Sequence, residues 1–170
     1  MSNIIPFDMC HWFEPDTSPV ENAYALRALL DCLIAVNESY LKYYPKTLPL
    51  YKSGVYYERV DEWLPIPALY QLGYGDCKSL ACALVAEYRA AGIPCDATFR
   101  WIIRQDSSEV VRDFHILVEV SPGMKYEDPS KVLGMGKNEV SPVQYVEDPN
   151  YFGVDNNAKV RKYLRSLKIL

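Results

Sequence analysis

The stretch Gly73-Tyr74-Gly75-Asp76-Cys77-Lys78-Ser79-Leu80 marks the point at which a loop gives way to a helix. Asp76 suits the N-cap position, because its side chain can accept a hydrogen bond from an amide of the first turn. The helix should end at Gly92-Ile93-Pro94, a typical stop signal. The residues expected on its core-facing side share one helical face, and they are Cys77, Leu80, Ala81, Leu84 and Tyr88. The pattern predicts a helix over about 76–91 with Cys77 in its first turn.

The residues after this helix alternate with a period of two, which is typical of β-strands. One strand is predicted over 95–104 and a second over 112–120, with His115 and Glu119 on the same face of the second. A turn at Ser121-Pro122-Gly123 should lead into a third strand that begins at 124. We expect these strands to form an antiparallel sheet.

Further helices are predicted at both ends of the chain. The N-terminal one, over about 18–44, starts at Ser18-Pro19-Val20-Glu21, where Ser is the N-cap and Pro is the first helical residue. The C-terminal one covers about 156–168 and is basic. The order helix, helix, strands, helix predicts a single α+β domain over residues 1–170. Residues 45–72, rich in proline and aromatic residues, could be a loop over the core or a wall of a substrate groove.

Charge is distributed unevenly along the chain. The net charge of −4 argues against a dedicated nucleic-acid binder. Residues 156–170 carry five basic side chains and no acid, whereas residues 1–155 carry 13 basic and 22 acidic side chains, a charge of −9. The basic C-terminal helix should therefore either dock on the acidic body of the domain or bind an acidic protein partner.

The sequence contains no signal for secretion or membrane insertion. Residues 1–10 lack the basic segment and apolar run of a signal peptide, and no stretch approaches the roughly 18 apolar residues of a membrane span. Five cysteines without paired spacing suit a reducing compartment, so a cytoplasmic location is expected. Cys10-His11 has no second Cys/His pair nearby, and we expect no metal and no cofactor.

Nucleophilic cysteine chemistry needs a thiolate, a base that generates it and a group that orients the base. Cys77 sits at a helix N-terminus, where unpaired amides and the helix dipole stabilise an anion. The preceding Gly73-Tyr74-Gly75 provides a flexible turn that a substrate can approach closely. Of the two histidines, His115 is held within a predicted strand, whereas His11 lies in an irregular stretch. His115 is therefore the better candidate for the base.

The register of the hairpin that follows His115 determines whether a carboxylate of the next strand can reach the His115 side chain. If Pro122-Gly123 forms a two-residue loop, Leu117 faces Asp128, and Asp128 becomes the diagonal neighbour of His115 on the same sheet face. A three-residue loop would place Asp128 on the opposite face. The sequence thus permits a relay of Cys77, His115 and Asp128. The alternative interpretation is an inert buried cysteine, a structural histidine and a turn aspartate.

Four elements of the chain, in order, resemble the core of the transglutaminase-like superfamily. They are Gly73-Tyr74-Gly75-Asp76-Cys77, Gly92-Ile93-Pro94, the strand with His115 and Asp128-Pro129-Ser130. The resemblance covers residues 73–130 and implies a papain-like core, in which a nucleophile helix packs on an antiparallel sheet. It implies Cys77 as nucleophile, His115 as general base and Asp128 as the acid that orients His115. The Trp that often follows the family's His is absent here, and the flanks match no family pattern.

The resemblance implies a thiol-dependent hydrolase or acyltransferase. The substrate would be an amide acyl group of peptide or glutamine type in a protein or peptide, processed through a thioester on Cys77. Hydrolysis is favoured, because family members of this size are often hydrolases. The alternative is a binding or assembly module that keeps the fold without catalysis, as in bacteriophage particles, in which case the protein would be virion-associated. An arylamine acyltransferase-like reaction is disfavoured by the short chain.

Further candidates for the site flank the proposed nucleophile. Papain-like cysteine proteases resemble this core in the order Cys then His, and they place an oxyanion-hole Gln at the spacing that Gln71 has from Cys77. The Gln71 amide could donate to an oxyanion beside the Cys77 backbone N–H, or it could be a helix-end residue without such a role. The candidates for the substrate groove are Trp63, Tyr74, Asp76 and Trp101.

Overall fold

The computed structural model describes the backbone of residues 19–105, 110–120, 125–136 and 145–147. Side chains are described for residues 25–99, 114–120 and 125–136. The predicted C-terminal basic helix, His11 and Cys10 lie outside the described residues.

The described chain contains four helices, six strands and one 3-10 turn. The helices are α1 (Pro19–Tyr43), α2 (Ile66–Leu72), α3 (Cys77–Ala90) and α4 (Pro129–Val132). The strands are β1 (Tyr56–Tyr57), β2 (Tyr74–Gly75), β3 (Cys95–Gln105), β4 (Val110–Val120), β5 (Lys125–Glu127) and β6 (Tyr145–Glu147), and the 3-10 turn is Leu50–Lys52. This mixture of helices and strands is compatible with the predicted α+β class.

The main sheet has four strands in the order β5-β4-β3-β6, and all of its described pairs are antiparallel. Strands β3 and β4 form a long hairpin along their whole length, from Cys95 opposite Val120 to Gln105 opposite Val110. A second, parallel pair joins β1 to β2 directly before α3. This small pair holds the start of α3 against the segment that precedes α2.

Helix α3 forms the centre of the fold. Its first ten residues, 77–86, are all buried, because α1 packs on one side and the β3–β4 hairpin on another. The sequence predicted one buried face, so that prediction was too narrow. Small side chains make this burial possible by letting neighbouring backbones approach closely, and they are Ala81, Cys82, Ala83 and Ala86.

A buried guanidinium joins α1 to the sheet. The Arg27 side chain is fully buried and donates to the carbonyl oxygen of Ala97 at 2.5 Å. It also donates to the carboxylates of Asp31 and Asp96. Two carboxylates and a carbonyl offset the cost of removing this charge from water. The N-terminal helix is thereby fixed to β3, the strand that neighbours the one with His115.

The segment between α1 and α3 contains an element that the sequence did not predict. Residues 66–72 form helix α2, with Pro67 in its first turn and Gly73 as its C-cap in a left-handed conformation (φ 79°). Gly73 and Gly75 have different roles. Gly73 adopts the left-handed φ that favours glycine, whereas Gly75 has an ordinary φ and lies against α2. A Cβ on Gly75 would sit 2.5 Å from Leu69 Cδ1. A side chain at position 75 would therefore require Leu69 of α2 to move.

The register of β4 and β5 agrees with the two-residue hairpin loop. Val118 pairs with Glu127, Glu119 with Tyr126, and Val120 with Lys125. Strand β5 ends at Glu127, and Asp128 is the N-cap of α4. Among the described helices, none combines the length and the apolar character that crossing a membrane requires.

Candidate active site

Asp76 and Cys77 form the start of α3 as predicted. Asp76 is the N-cap, and its Oδ1 accepts a hydrogen bond from the backbone N–H of Ser79 at 3.4 Å. Cys77 is the first helical residue, and its side chain is 9% exposed. A thiol at the first position of a helix lies at the positive end of the helix dipole, which stabilises negative charge.

Lys78 links the start of α3 to the segment before α2. Its ammonium group donates to the carbonyl oxygen of Val60 at 2.8 Å and forms an ion pair with Asp76. It also lies 5.8 Å from the ring centroid of Trp63. Burial raises the pKa of Asp76, and the neighbouring charge of Lys78 only partly opposes that rise. The ion pair therefore lies in a low-dielectric environment next to Cys77.

His115 and Asp128 are in direct contact. The Nε2 atom of His115 lies 2.9 Å from Oδ2 of Asp128. The other carboxylate oxygen of Asp128 accepts from the backbone N–H of Lys131 at 3.1 Å. Burial opposes ionisation of Asp128, but the hydrogen bond and charge of His115, with Lys131, outweigh it and lower the pKa of this carboxyl. Asp128 is thus an ionised acceptor that fixes the imidazole.

This contact determines which nitrogen of His115 is available for chemistry. An ionised carboxylate can only accept, so Nε2 of His115 must carry the proton in their hydrogen bond. In the neutral ring Nδ1 is then unprotonated and can act as a base. Asp128 thereby selects the tautomer that a general base requires.

Cys77 and His115 line the same cavity. Its volume is about 230 Å³. Arg59 and Asp61 are exposed and form its rim, while partly buried apolar side chains form its walls. The described residues that line it are Tyr57, Arg59, Val60, Asp61, Asp76, Cys77, Lys78, Phe114, His115 and Met135. Three of the predicted residues, Cys77, His115 and Asp76, therefore meet at one cavity, with Asp128 directly behind the histidine.

Other predicted residues lie elsewhere. Gln71 is exposed on α2, and it is not among the described residues that line the cavity. Trp63 and Tyr74 also do not line it: Trp63 lies against Lys78, and the Tyr74 ring lies 6.2 Å from that of Tyr56. The backbone of Trp101 pairs with Phe114 in the hairpin, and its side chain lies outside the described part. Of the described side chains, those of Gln71, Trp63 and Tyr74 are not among the ones that line the cavity.

The sequence did not single out several cavity residues. Tyr57 arrives there because β1 pairs with β2, which places Tyr57 opposite Gly75. Its backbone N–H also donates to the carbonyl of Leu133 at 2.9 Å, which holds the segment near the Met135 turn. For Phe114, its place directly before His115 in the chain is the sequence signal that could have indicated that it lines the cavity. Nothing in the local sequence marks Arg59 or Met135.

The remaining described thiols differ from Cys77 in environment. Cys82 is fully buried, its Sγ lies 3.7 Å from the Leu30 carbonyl oxygen, and burial raises its pKa. Burial also raises the pKa of Cys95 to about 11. Cys32 is exposed on α1. Within the described residues no three His, Cys, Asp or Glu side chains are grouped to hold a metal ion.

Comparison of the chain with models of known protein families, with curated proteins and with solved structures finds no match.

Proposed function

We propose that this protein is a thiol-dependent acyl-transfer enzyme with a transglutaminase-like, papain-like core. Cys77 is the nucleophile, His115 the general base and Asp128 the acid that orients His115. The observation that carries the proposal is the 2.9 Å contact of Asp128 with Nε2 of a histidine that lines one cavity with Cys77. The position of Cys77 at the start of α3 supports it.

The proposed reaction has two halves. The His115 imidazole takes the thiol proton, and the Cys77 sulfur attacks the carbonyl carbon of an amide. The carbon–nitrogen bond breaks, and the departing amine takes the proton from His115, which leaves a thioester on Cys77. Water or a second amine then attacks the thioester while His115 accepts its proton. The carbon–sulfur bond breaks and the thiol is restored with a free acid or a new amide.

The oxyanion of each tetrahedral intermediate needs hydrogen-bond donors. The backbone N–H groups in the first turn of a helix can donate to an anion at its N-terminus, and the Cys77 N–H belongs to the first turn of α3. The exposed position of Gln71 on α2 does not support the expected role of its side-chain amide as a second oxyanion donor. We assign the Cys77 amide as the oxyanion donor in this proposal.

The cavity limits what part of a substrate can enter. Drug-sized ligands occupy roughly 300–1,000 Å³, whereas this cavity holds about 230 Å³. A single side chain or acyl group fits, and the rest of the substrate stays outside against the rim of Arg59 and Asp61. This size favours a side-chain or terminal amide of a protein or peptide. Hydrolysis remains the favoured second half of the reaction.

A generic activated ester tests the proposal without knowledge of the substrate. Incubation with p-nitrophenyl acetate should add one acetyl group to Cys77, detected by intact-mass and peptide mass spectrometry. His115→Ala should slow this acylation by roughly 10²- to 10⁴-fold, the usual contribution of a general base. Cys32→Ser, which removes an exposed thiol far from the relay in sequence, should acylate at the wild-type rate. An enzyme that hydrolyses the acetyl thioester quickly would instead release p-nitrophenol continuously, and Cys77→Ala would abolish that release. Absence of both the acetyl group on Cys77 and this Cys77-dependent release would refute the enzyme.

One feature favours a second candidate, a non-enzymatic binding or assembly module. Large apolar side chains are exposed around the end of α1, with Tyr43 76% and Tyr44 59% exposed. Exposed aromatic clusters are common at protein interfaces. Size-exclusion chromatography with light scattering, on wild type and Cys77→Ala, separates the candidates. A stable assembly together with an unreactive Cys77 would favour the module.

A further inference from the structure

The carboxylate of Glu127 is held by two tyrosines from different parts of the fold. Its Oε1 accepts from the Tyr51 hydroxyl at 2.7 Å, and its Oε2 accepts from the Tyr88 hydroxyl at 2.8 Å. Tyr51 belongs to the 3-10 turn before β1, and Tyr88 belongs to α3, the helix that begins with Cys77. Both oxygens of one carboxylate are thus committed to neutral donors.

Glu127 is also fixed through its backbone. It is the last residue of β5 and pairs with Val118 of β4, the strand that carries His115. The next residue is Asp128, whose side chain holds His115. Glu127 therefore connects the nucleophile helix, the histidine strand and the residue before the orienting acid.

We propose that Glu127, clamped by Tyr51 and Tyr88, is a positioning residue that holds Asp128 in hydrogen-bonding distance of His115. Asp128 lies outside the strand ladder, at a chain bend with φ −114° and ψ 90°. Its own contacts, with the Lys131 amide and His115, fix its side chain, and the buried Pro129 and Ser130 hold the chain that follows it. The clamp holds the chain on the other side, one residue before Asp128, and ties it to α3, the helix that presents Cys77.

The chemistry of the two hydroxyls suits a constant clamp. Burial and the hydrogen bond to Glu127 raise the pKa of Tyr88 to about 12, and burial with the same carboxylate raises the pKa of Tyr51. Both hydroxyls therefore stay protonated as donors across the range in which proteins function. A hydrogen bond to a charged acceptor is stronger than one between neutral groups. Neither tyrosine therefore loses its donated proton in that range, and the clamp does not switch through its hydroxyls.

The inference rests on the proposed function for its consequence in catalysis, but its structural core can be measured separately. In ¹⁵N-labelled protein, the His115 ring proton bound to Nε2 should give a downfield signal because it is donated to Asp128. Glu127→Gln and the double variant Tyr51→Phe/Tyr88→Phe should shift or broaden that signal beyond detection. The same variants should slow acylation of Cys77 by p-nitrophenyl acetate by roughly 10- to 100-fold, since a displacement near 1 Å has that effect on rate.

Tyr70→Phe is the matched control. The Tyr70 hydroxyl donates at 3.0 Å to another partly buried glutamate, Glu87, and it has no contact with β5 or Asp128 among the described interactions. Removing it should lower thermal stability comparably but leave the His115 signal and the acylation rate unchanged. An unaltered His115 signal in folded Glu127→Gln and in the double tyrosine variant would overturn the clamp. A wild-type protein that shows the signal but no acylation would refute the proposed enzyme while leaving the clamp intact.

Discussion

At the scale of single residues, Asp128 performs two tasks with one carboxylate. One oxygen holds the Nε2 atom of His115, and the other caps α4 through the Lys131 amide. Hydrogen bonds to a charged group contribute more than neutral ones, roughly 1.5–3 kcal/mol each. The same side chain therefore stabilises the fold and sets the tautomer of the proposed base, so both properties should respond to its removal.

Replacing Asp128 with Asn should have an effect that depends on pH. The folded-state pKa of Asp128 is lowered, because His115 and Lys131 outweigh the opposing burial. A carboxyl with a lowered pKa stabilises the fold above its unfolded pKa of about 3.9 and loses that contribution as pH falls through the folded value. Urea unfolding near pH 6 should show Asp128→Asn less stable by about 1.5–3 kcal/mol, and the difference should shrink toward pH 2–3.

The exposed Asp61 on the cavity rim provides the control for this experiment. Asp61→Asn should change the free energy of unfolding by less than about 0.5 kcal/mol throughout, as surface substitutions usually do. A difference between wild type and Asp128→Asn that stays constant from pH 6 to acid would contradict an ionised Asp128 in the folded state.

At the scale of secondary-structure elements, the local signals around α3 predicted most of the site's scaffold. The N-cap Asp76, the stop after Ala91 and the β4–β5 register all agree with the structure. These features are set by interactions within a few residues, which the sequence displays directly. Helix α2 was missed because two prolines and several aromatics at 63–70 obscured its short apolar pattern. Prolines at the first turn of a helix are compatible with helix formation.

Lys78 tests how the start of α3 is joined to the segment before α2. Lys78→Met removes the partner of the buried Asp76 and the hydrogen bond to the Val60 carbonyl. Breaking one side of a buried pair typically costs about 3–5 kcal/mol, measurable by urea unfolding. The pKa of Asp76 is raised by burial in the folded state, so its charge favours unfolding as pH rises. The cost of Lys78→Met should therefore grow between about pH 4 and pH 7.

Lys131 supplies the comparison for that substitution. It is 71% exposed and lies 3.8 Å from Asp128, an ion pair of the kind that contributes little. Lys131→Met should change the free energy of unfolding by less than about 1 kcal/mol. Equal costs for the two lysines would mean that the Lys78 tether contributes nothing to the fold.

At the scale of the whole molecule, the site depends on contacts between distant parts of the chain. Periodicity and capping identified Cys77 and His115 one element at a time, and hairpin parity made Asp128 reachable. Strand parity could not show which other side chains line the cavity. Tyr57 reaches it because β1 pairs with β2, and Met135 because the Tyr57 backbone N–H donates to the carbonyl of the nearby Leu133. Gln71 has the spacing from Cys77 that the resemblance to papain-like proteases implies, but it is not among the described residues that line the cavity.

The burial of α3 is also a property of the whole molecule. The sequence predicted one apolar face, but small residues on the other faces allow α1 and the sheet to surround the helix. The result is a helix that is buried along its first ten residues. Its N-terminus, with Cys77, lies at the cavity that His115 also lines.

The central claim is that His115, oriented by Asp128, activates Cys77. The most direct test compares alkylation of Cys77 and Cys32 by iodoacetamide near pH 6, followed in one sample by peptide mass spectrometry. Accessibility alone favours Cys32, which is exposed, over Cys77, which is 9% exposed. We predict that Cys77 nevertheless reacts at least about 10-fold faster, because the thiolate is the reactive form, and that His115→Gln removes this preference. Faster labelling of Cys32 in the wild type, or an unchanged ratio in His115→Gln, would contradict the account.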